Sequence, residues 1–191
     1  MRQLSPTQII NGMWLIWALN WVVSAFFVKS REKTEPSRKR LGHIVLFGSG
    51  LLLIYARGWH LGALDHQFVL SSTVVNAVAI SLSALGLLLA FWARSHIGQY
   101  WSASVALKED HRLIQTGPYA YLRHPIYTGI IFGFIGGVLV LGQYRGVLGL
   151  ILIVAALIQK ARSEEGLLTQ SLGPAYLNYR RHTGFLLPKF N

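Results

Sequence analysis

The sequence predicts an all-α integral membrane protein of about five transmembrane helices, with its N-terminus outside and its C-terminus cytoplasmic. Three observations carry this. Apolar residues make up 52% of the 191-residue chain and charged residues only 13%, where a soluble domain carries about 25% charged. Mean hydropathy is +0.41. The apolar residues also fall in runs of helix-spanning length, broken by polar stretches. This composition excludes a disordered chain, which lacks apolar residues. It argues against a water-soluble globule, because too few charges remain to coat the surface.

The first run, 9–28, has about the 20 residues that a bilayer crossing needs. Trp14, Trp17 and Trp21 within it suit the membrane interface. Only Arg2 supplies basic charge ahead of it, and no small-residue cleavage pattern follows. It is therefore read as a retained span and not as a signal peptide. Residues 29–40 are polar and hold six Lys or Arg. The second run is 41–56, the third 72–93, with a loop at 57–71 between them. A long polar stretch, 94–125, comes next. Runs 126–142 and 146–159 are separated only by Gln143, Tyr144 and Arg145, so they read as a tight helical hairpin. Its second arm barely reaches across ~30 Å of hydrocarbon. Residues 160–181 are polar and helix-like, interrupted at Gly173-Pro174. Three N-terminal helices (1–93) thus precede a C-terminal half (94–191) in which polar sequence is dense.

Orientation follows from the basic residues. With 29–40 in the cytoplasm, 94–125 and the segment after 159 lie on the same side. That side then carries fifteen of the 18 Lys and Arg, and the other side keeps Arg2, Arg57 and Arg145, as the positive-inside rule asks. The net charge of +11 is thereby a property of topology and of attraction to anionic lipid. No nucleic-acid partner is expected. A bacterial-type inner membrane is the expected home, with the endoplasmic reticulum as the alternative, and the active site facing the cytoplasm. The chain has no cysteine, which excludes disulfides, Cys-ligated metals and thiol nucleophiles.

Two clusters can carry chemistry. In the first, His111, Arg112, Tyr119, Arg123, His124 and Tyr127 gather around the turn-forming Gly117-Pro118 and ahead of Pro125, a suitable first residue for the fourth span. Such a collar suits lipid headgroups or a polar ligand with anionic and aromatic parts. The second is Lys160-Ala161-Arg162-Ser163-Glu164-Glu165. Lys160 and Glu164 are four apart and share a helix face. Two of the seven carboxylates sit here, at the inner end of the last span, where acidic residues usually mark a site. No metal site is expected. His111 and His124 are thirteen apart, with no second histidine at helical spacing. His43, His60, His66 and His96 read as isolated interface or loop residues. Gly129, Gly133, Gly136 and Gly137 stripe the fourth span and suit close helix packing.

These pieces form a pattern in order: Gly117-Pro118-Tyr119, Arg123-His124-Pro125-x-Tyr127-x-Gly129, Glu164-Glu165, Leu172-Gly173-x-x-Tyr176-x-x-Tyr179 and Leu187-Pro188. The pattern resembles the isoprenylcysteine carboxyl methyltransferase family, within a wider group of membrane phospholipid methyltransferases. The likeness covers roughly 92–190. It implies a membrane-embedded enzyme that uses S-adenosylmethionine, releases S-adenosylhomocysteine, and takes a lipophilic acceptor, an isoprenylcysteine-type carboxylate, from the bilayer. Carried over by motif, cofactor contacts fall on His111, Arg112, Leu113, Ile114, Tyr119, His124, Pro125, Ile126, Tyr127 and Glu164. Arg123 joins them as a partner for the cofactor's carboxylate. The family's basic substrate-side residue, four before the glutamate, becomes Lys160, with Arg162 beside it. Lys160 and Glu164 are the expected catalytic residues. Lysine keeps the charge of the family's arginine but not its bidentate fork.

The cofactor's chemistry suits these side chains. A carboxylate can hold its ammonium or ribose, and tyrosine faces can meet its adenine or its sulfonium by cation–π attraction. Methyl transfer is an in-line displacement that asks for positioning at ~3–3.5 Å. Other readings stay open from the residues alone: methylation of a lipid amine, with Glu165 as base, or of a small thiol; a sterol-reductase-like enzyme using NADPH; and a membrane scaffold or transport subunit. Membrane lipids are expected neighbours in every case. Oligomeric state is not written in the sequence.

Overall fold

A computed structural model of the chain describes residues 4–25, 33–34, 37–56, 58–98, 106–107 and 113–190. The fold is mostly helical. Five long helices run between two ends of a bundle: α1 (Pro6–Ala25), α2 (Ser37–Tyr55), α3 (Thr73–Ile97), α4 (Pro125–Leu141) and α5 (Tyr144–Leu172). A short α6 (Pro174–His182) follows. Two-residue strands β1 (Lys33–Thr34) and β2 (Ala106–Leu107) pair antiparallel. Of the described helices, α3 and α5 are long and apolar enough to cross a membrane, with mean hydropathy 2.3 and 1.6 over their most apolar windows. α4 and most of α2 are shorter apolar helices.

The helix bounds lie within a few residues of the sequence expectation, with one correction. The last apolar run and the polar segment after it form a single helix of 29 residues, roughly 43 Å long at 1.5 Å per residue. Nothing in Lys160–Glu165 opposes helix. The chain breaks only at Gly173, whose φ is +49°, followed by Pro174 at the first position of α6. The apolar part of α5 ends at 159, and its polar extension reaches beyond the span. The expected α4–α5 hairpin is present. Gly142 caps α4 in the left-handed region at φ +69°, and a Cβ there would sit 2.7 Å from the Val69 carbonyl.

Backbones approach closely where glycines meet. α3 and α4 pack antiparallel, with Gly86 against Gly129 and Ala79 and Ser83 against Gly136. The Ser83 hydroxyl donates to the Gly133 carbonyl at 3.1 Å. α2 and α5 pack antiparallel through Gly50 and Gly149. Without a hydrophobic drive between helices in lipid, such close contact supplies the packing energy. Three of the four stripe glycines serve this role; Gly137 meets only the Tyr55 hydroxyl, 3.9 Å from where its Cβ would be. Trp14 fills the groove beside Gly133 and lies 4.5 Å from Phe134, centroid to centroid. Many leucines, isoleucines and valines point outward instead, including Leu15, Ile16, Leu19, Leu85, Leu88 and Ile151.

These pairings sort the loops. Trp21, His43, Arg94, His124 and Glu164 lie at one end; Thr7, Tyr55, Asp65, Gly142 and Arg145 at the other. At the second end, the Phe68 amide donates to Gly142 at 2.8 Å and the Tyr144 amide to His66 at 3.1 Å, so the 62–71 loop clasps the hairpin. At the first end, the C-terminal tail returns across α4. The amides of Arg123 and His124 donate to the carbonyls of Gly184 and Phe185.

Replacing Gly129 with valine should cost about 1–3 kcal/mol, the usual range for overpacking a close contact. Gly48→Ala, whose Cβ meets nothing within 4 Å, should not lower stability. Thermal unfolding midpoints in detergent test the contrast; equal midpoints would contradict backbone contact between α3 and α4.

Candidate functional site

The first end of the bundle holds a charged and aromatic cluster. Pro125 disfavours helical backbone at the residue before it, and His124 accordingly sits outside α4 with φ −126° and ψ 57°. The missing N–H of Pro125 costs nothing at the first helical position. Just upstream, residues Gly117–Ala120 form a 3-10 turn. Gly117 has φ +60°, and a Cβ would strike the His96 ring. Turn and proline together present Arg123 and His124 side by side. α5 brings Lys160, Glu164 and Glu165 to meet them from its polar extension.

Glu165 is the hub. Its Oε1 accepts from Arg123 Nε at 2.6 Å and lies 3.3 Å from His124 Nε2. Arg180 of α6 stands 3.8 Å from Oε2. Arg123 also donates to the carbonyls of Arg180 and Thr183. One buried carboxylate therefore ties the start of α4 to α5, α6 and the tail. Glu164 has a different environment. Its Oε1 accepts from the Tyr127 hydroxyl at 2.5 Å, and its Oε2 lies 3.6 Å from His124 Nδ1. Its side chain is 23% exposed, against 9% for Glu165. Rings complete the wall. His124 stacks on Tyr127 with planes 3° apart, and Phe185 meets His124 edge-on. Lys160 Nζ lies 5.6 Å above the Tyr127 ring, within cation–π range.

The charges shift one another. Burial opposes a charge on His124, but the two adjacent carboxylates outweigh it, so its pKa is raised. Burial likewise opposes ionisation of the carboxyls, yet His124 holds both down, with Lys160 helping at Glu164 and Arg123 at Glu165. Glu165 titrates at about 2. Burial pushes the Tyr119 and Tyr176 phenols up, and Tyr179 to about 12. These tyrosines remain neutral. The Tyr179 hydroxyl donates to the Tyr119 carbonyl at 2.8 Å.

Of the residues singled out from sequence, Arg123, His124, Tyr127, Lys160 and Glu164 come together. Tyr119 is buried beside them, its hydroxyl donating to the Ala93 carbonyl at 3.4 Å. Pro125 and Ile126 are buried and shape the α4 start, and Ile114 packs on the core. Leu113 is half-buried. Arg162 does not join the cluster. It is exposed on α5, two residues from Lys160 and so on the far face of the helix. His111 and Arg112 lie outside the described residues.

The structure adds residues that sequence reasoning left without a role. Glu165 appeared only as a conditional base, and Arg180, Thr183 and Phe185 had none. Their signal was faint: a second acid beside Glu164, and an aromatic residue just ahead of Leu187-Pro188. Two histidines expected to be isolated are not. His96 Nε2 lies 2.9 Å from the Thr116 hydroxyl and its ring stacks on Tyr119. His43 is buried on α2, among the charges of Lys160, Glu164 and Arg40. Among the described residues, no three or more His, Asp or Glu gather as a metal site.

Comparison with known proteins agrees with this region as the informative one. The model of the isoprenylcysteine carboxyl methyltransferase (ICMT) family matches residues 77–170. The chain is 33% identical over 112 residues to the protein-S-isoprenylcysteine O-methyltransferase of Schizosaccharomyces pombe, covering 57% of this chain and 48% of that one. It is 30% identical over 125 residues to the nickel-cobalt-cadmium resistance protein NccN of Alcaligenes xylosoxydans xylosoxydans, covering 62% and 54%. The chain thus spans about half the length of the curated relatives it matches. The fold is similar to that of the eukaryotic intramembrane Ras methyltransferase ICMT, with a TM-score of 0.50 and 22% identity, over 80% of this chain and 51% of that structure.

The His124 shift gives a signed pH dependence. Its folded pKa is raised, so its stabilising charge is fully present below the unfolded value of about 6.5. That contribution is lost as pH rises through the folded value. The difference in thermal midpoint between the wild type and His124→Asn should therefore be widest below that pH and shrink above it. A difference that grows with pH would contradict the raised value.

Proposed function

We propose, taking as premise that this chain belongs to the isoprenylcysteine carboxyl methyltransferase family through residues 77–170, that it is an S-adenosylmethionine-dependent methyltransferase of the membrane. Its acceptor in this reading is lipophilic, an isoprenylcysteine-type carboxylate reached from the bilayer. The observation that carries the reading is the meeting of Arg123, His124, Tyr127, Lys160 and Glu164 at one end of the bundle, inside or next to the polar stretches of that family segment.

The donor set fits the cofactor. Glu165 is committed to Arg123, His124 and Arg180. Glu164 is more open, and the bond from Tyr127 and the approach of His124 leave its oxygens capacity to accept more. A carboxylate held ionised by His124 and Lys160 suits an ammonium or ribose hydroxyl. Tyr119 and Tyr127 offer aromatic surface, and Arg123 a guanidinium for a carboxylate; Leu113, Ile114, Pro125 and Ile126 would provide the apolar surround, and the motif assigns His111 and Arg112, outside the described residues, to the same cofactor. When bound, S-adenosylmethionine supplies an activated methyl group and leaves as S-adenosylhomocysteine.

What this chain's own residues do is bind and orient. Lys160 stands one turn from Glu164 and presents a positive charge over Tyr127, suited to draw an anionic acceptor to the donor's side of the site. A carboxylate acceptor arrives ionised, so no proton needs to be removed. His124 lies within reach of both carboxylates and orients them. Burial of this set strengthens each polar contact by excluding water.

In the bilayer, we read α1 to α5 as five crossings. The end bearing Glu164 faces the cytoplasm of a bacterial-type inner membrane. The basic segment 29–40 ends in α2 at that same end, beside α5.

Calorimetry of the detergent-purified protein tests the activity class. S-adenosylmethionine and S-adenosylhomocysteine should bind, and NADPH should not. Glu164→Gln removes one charged hydrogen-bond acceptor and should weaken binding about tenfold or more; unchanged affinity would remove Glu164 from the site. Topology has its own test. Thr34→Cys, in a chain with no cysteine, should react with an impermeant thiol reagent only from the cytoplasmic face. Labelling from outside would invert the arrangement.

A further inference from the structure

Gly137 is the stripe glycine that helix packing does not use. It lines a cavity of about 270 Å³ at the end of the bundle opposite the charged cluster, between α1, α2, α4 and α5. That is room for roughly nine waters at ~30 Å³ each. Its depth is apolar, formed in part by the buried Ile10 and Ile54. Its polar side carries Thr7, Asn11, Tyr55 and Arg145.

Arg145 is held in place. Its Nε donates to Gln143 Oε1 and its NH1 to the Ala56 carbonyl, both at 2.6 Å. These bonds use two of the five N–H donors of a guanidinium. Asp65 lies 3.7 Å from Nε, beyond hydrogen-bond reach, and its Oδ2 accepts from the Leu61 amide at 2.6 Å. The arginine side chain is only 12% exposed. It also stands in the first turn of α5, where the helix dipole disfavours a cation and favours an anion. A fixed, largely buried guanidinium at that position, ion-paired at 3.7 Å with Asp65 on one side and facing three neutral hydrogen-bonding groups and apolar side chains in the cavity, matches an anionic head joined to an apolar body.

We propose that this cavity binds the phosphodiester head of an anionic membrane lipid, with Arg145 as its charge partner, Thr7, Asn11 and Tyr55 as its neutral partners, and the lipid's apolar portion against Ile10 and Ile54. The inference rests on the bilayer embedding proposed above and is independent of methyl transfer. Gly137 matters because it has no side chain: any larger residue would project toward the Tyr55 hydroxyl and fill the space.

The test uses the full chain in neutral detergent. The probes are dioleoyl phosphatidylglycerol, dioleoyl phosphatidylcholine and inorganic phosphate, read by lipid retention in native mass spectrometry and by thermal midpoint. Phosphatidylglycerol should be retained and should stabilise, with the zwitterionic lipid about tenfold weaker. Arg145→Gln and Gly137→Val should each lower phosphatidylglycerol affinity about tenfold and leave S-adenosylmethionine binding unchanged. The valine variant removes space and no charge, so it decides the matter if Arg145→Gln does not fold. Equal retention by wild type and the folded variants overturns the proposal, as does equal retention of phosphatidylcholine. Displacement of the lipid by an equal concentration of inorganic phosphate would assign the site to a free anion and overturn the lipid reading. A chain that binds lipid through Arg145 but no methyl donor keeps this inference and removes the activity proposed above. A chain that binds the donor with lipid retention indifferent to both substitutions does the reverse.

Discussion

The buried carboxylate of Glu165 is the contact on which the end of the bundle around the charged cluster depends. It gathers Arg123 at 2.6 Å, His124 at 3.3 Å and Arg180 at 3.8 Å. A lone carboxylate is expensive to bury, and a lone arginine equally so; each is tolerable only because the other is present. The arrangement therefore constrains four segments at once. α4 must start where His124 leaves the helix. α5 must extend past the apolar span far enough to deliver Glu165. α6 must turn back at Gly173 to place Arg180. The tail must lie close enough for Arg123 to reach the Thr183 carbonyl.

With Glu165 occupied by the protein's own cations, Glu164 is left for other work. The two acids are adjacent in sequence, but 100° apart around the helix. One faces the tail and is consumed by structure. The other faces Tyr127 and Lys160 and is more open. This difference leaves one carboxylate to hold the segments together and the other open to the proposed cofactor. His124 is within reach of each carboxylate and holds the pKa of both down.

The rest of the bundle solves a separate problem. Many leucines and valines point outward, while glycine, alanine and serine line the α3–α4 contact and glycines meet between α2 and α5. That inversion is what lipid demands, since apolar bulk gains nothing by leaving hydrocarbon and close backbone contact gains dispersion. At the far end, polar groups gather again around Arg145 and Asp65. The two polar ends are chemically unlike: one gathers several opposed charges, the other has a single Arg145–Asp65 pair beside a cavity.

Much of this was legible in the residues. Hydrophobic run length located the helices, because a bilayer crossing imposes a length on any apolar helix. Gly142 and Gly173-Pro174 marked the breaks, because positive φ and a missing N–H act locally. The ordered motif from Gly117 to Leu187 singled out Arg123, His124, Tyr127 and Glu164, the spacing of four added Lys160, and the structure brings them together. Arg162 was drawn in by proximity in sequence, and helical geometry takes it away, two residues being more than half a turn from Lys160. Local chemistry thus determined where helices start and stop and which side chains were worth watching. Only tertiary structure decided which of two neighbouring glutamates would be buried, that the tail would supply Phe185 and backbone carbonyls, that His43 would join from α2, and that Gly137 would border a cavity while its three partners pack. Each of those outcomes depends on which helix faces which across the bundle. That is set by contacts far apart in sequence, and no short stretch of residues encodes it.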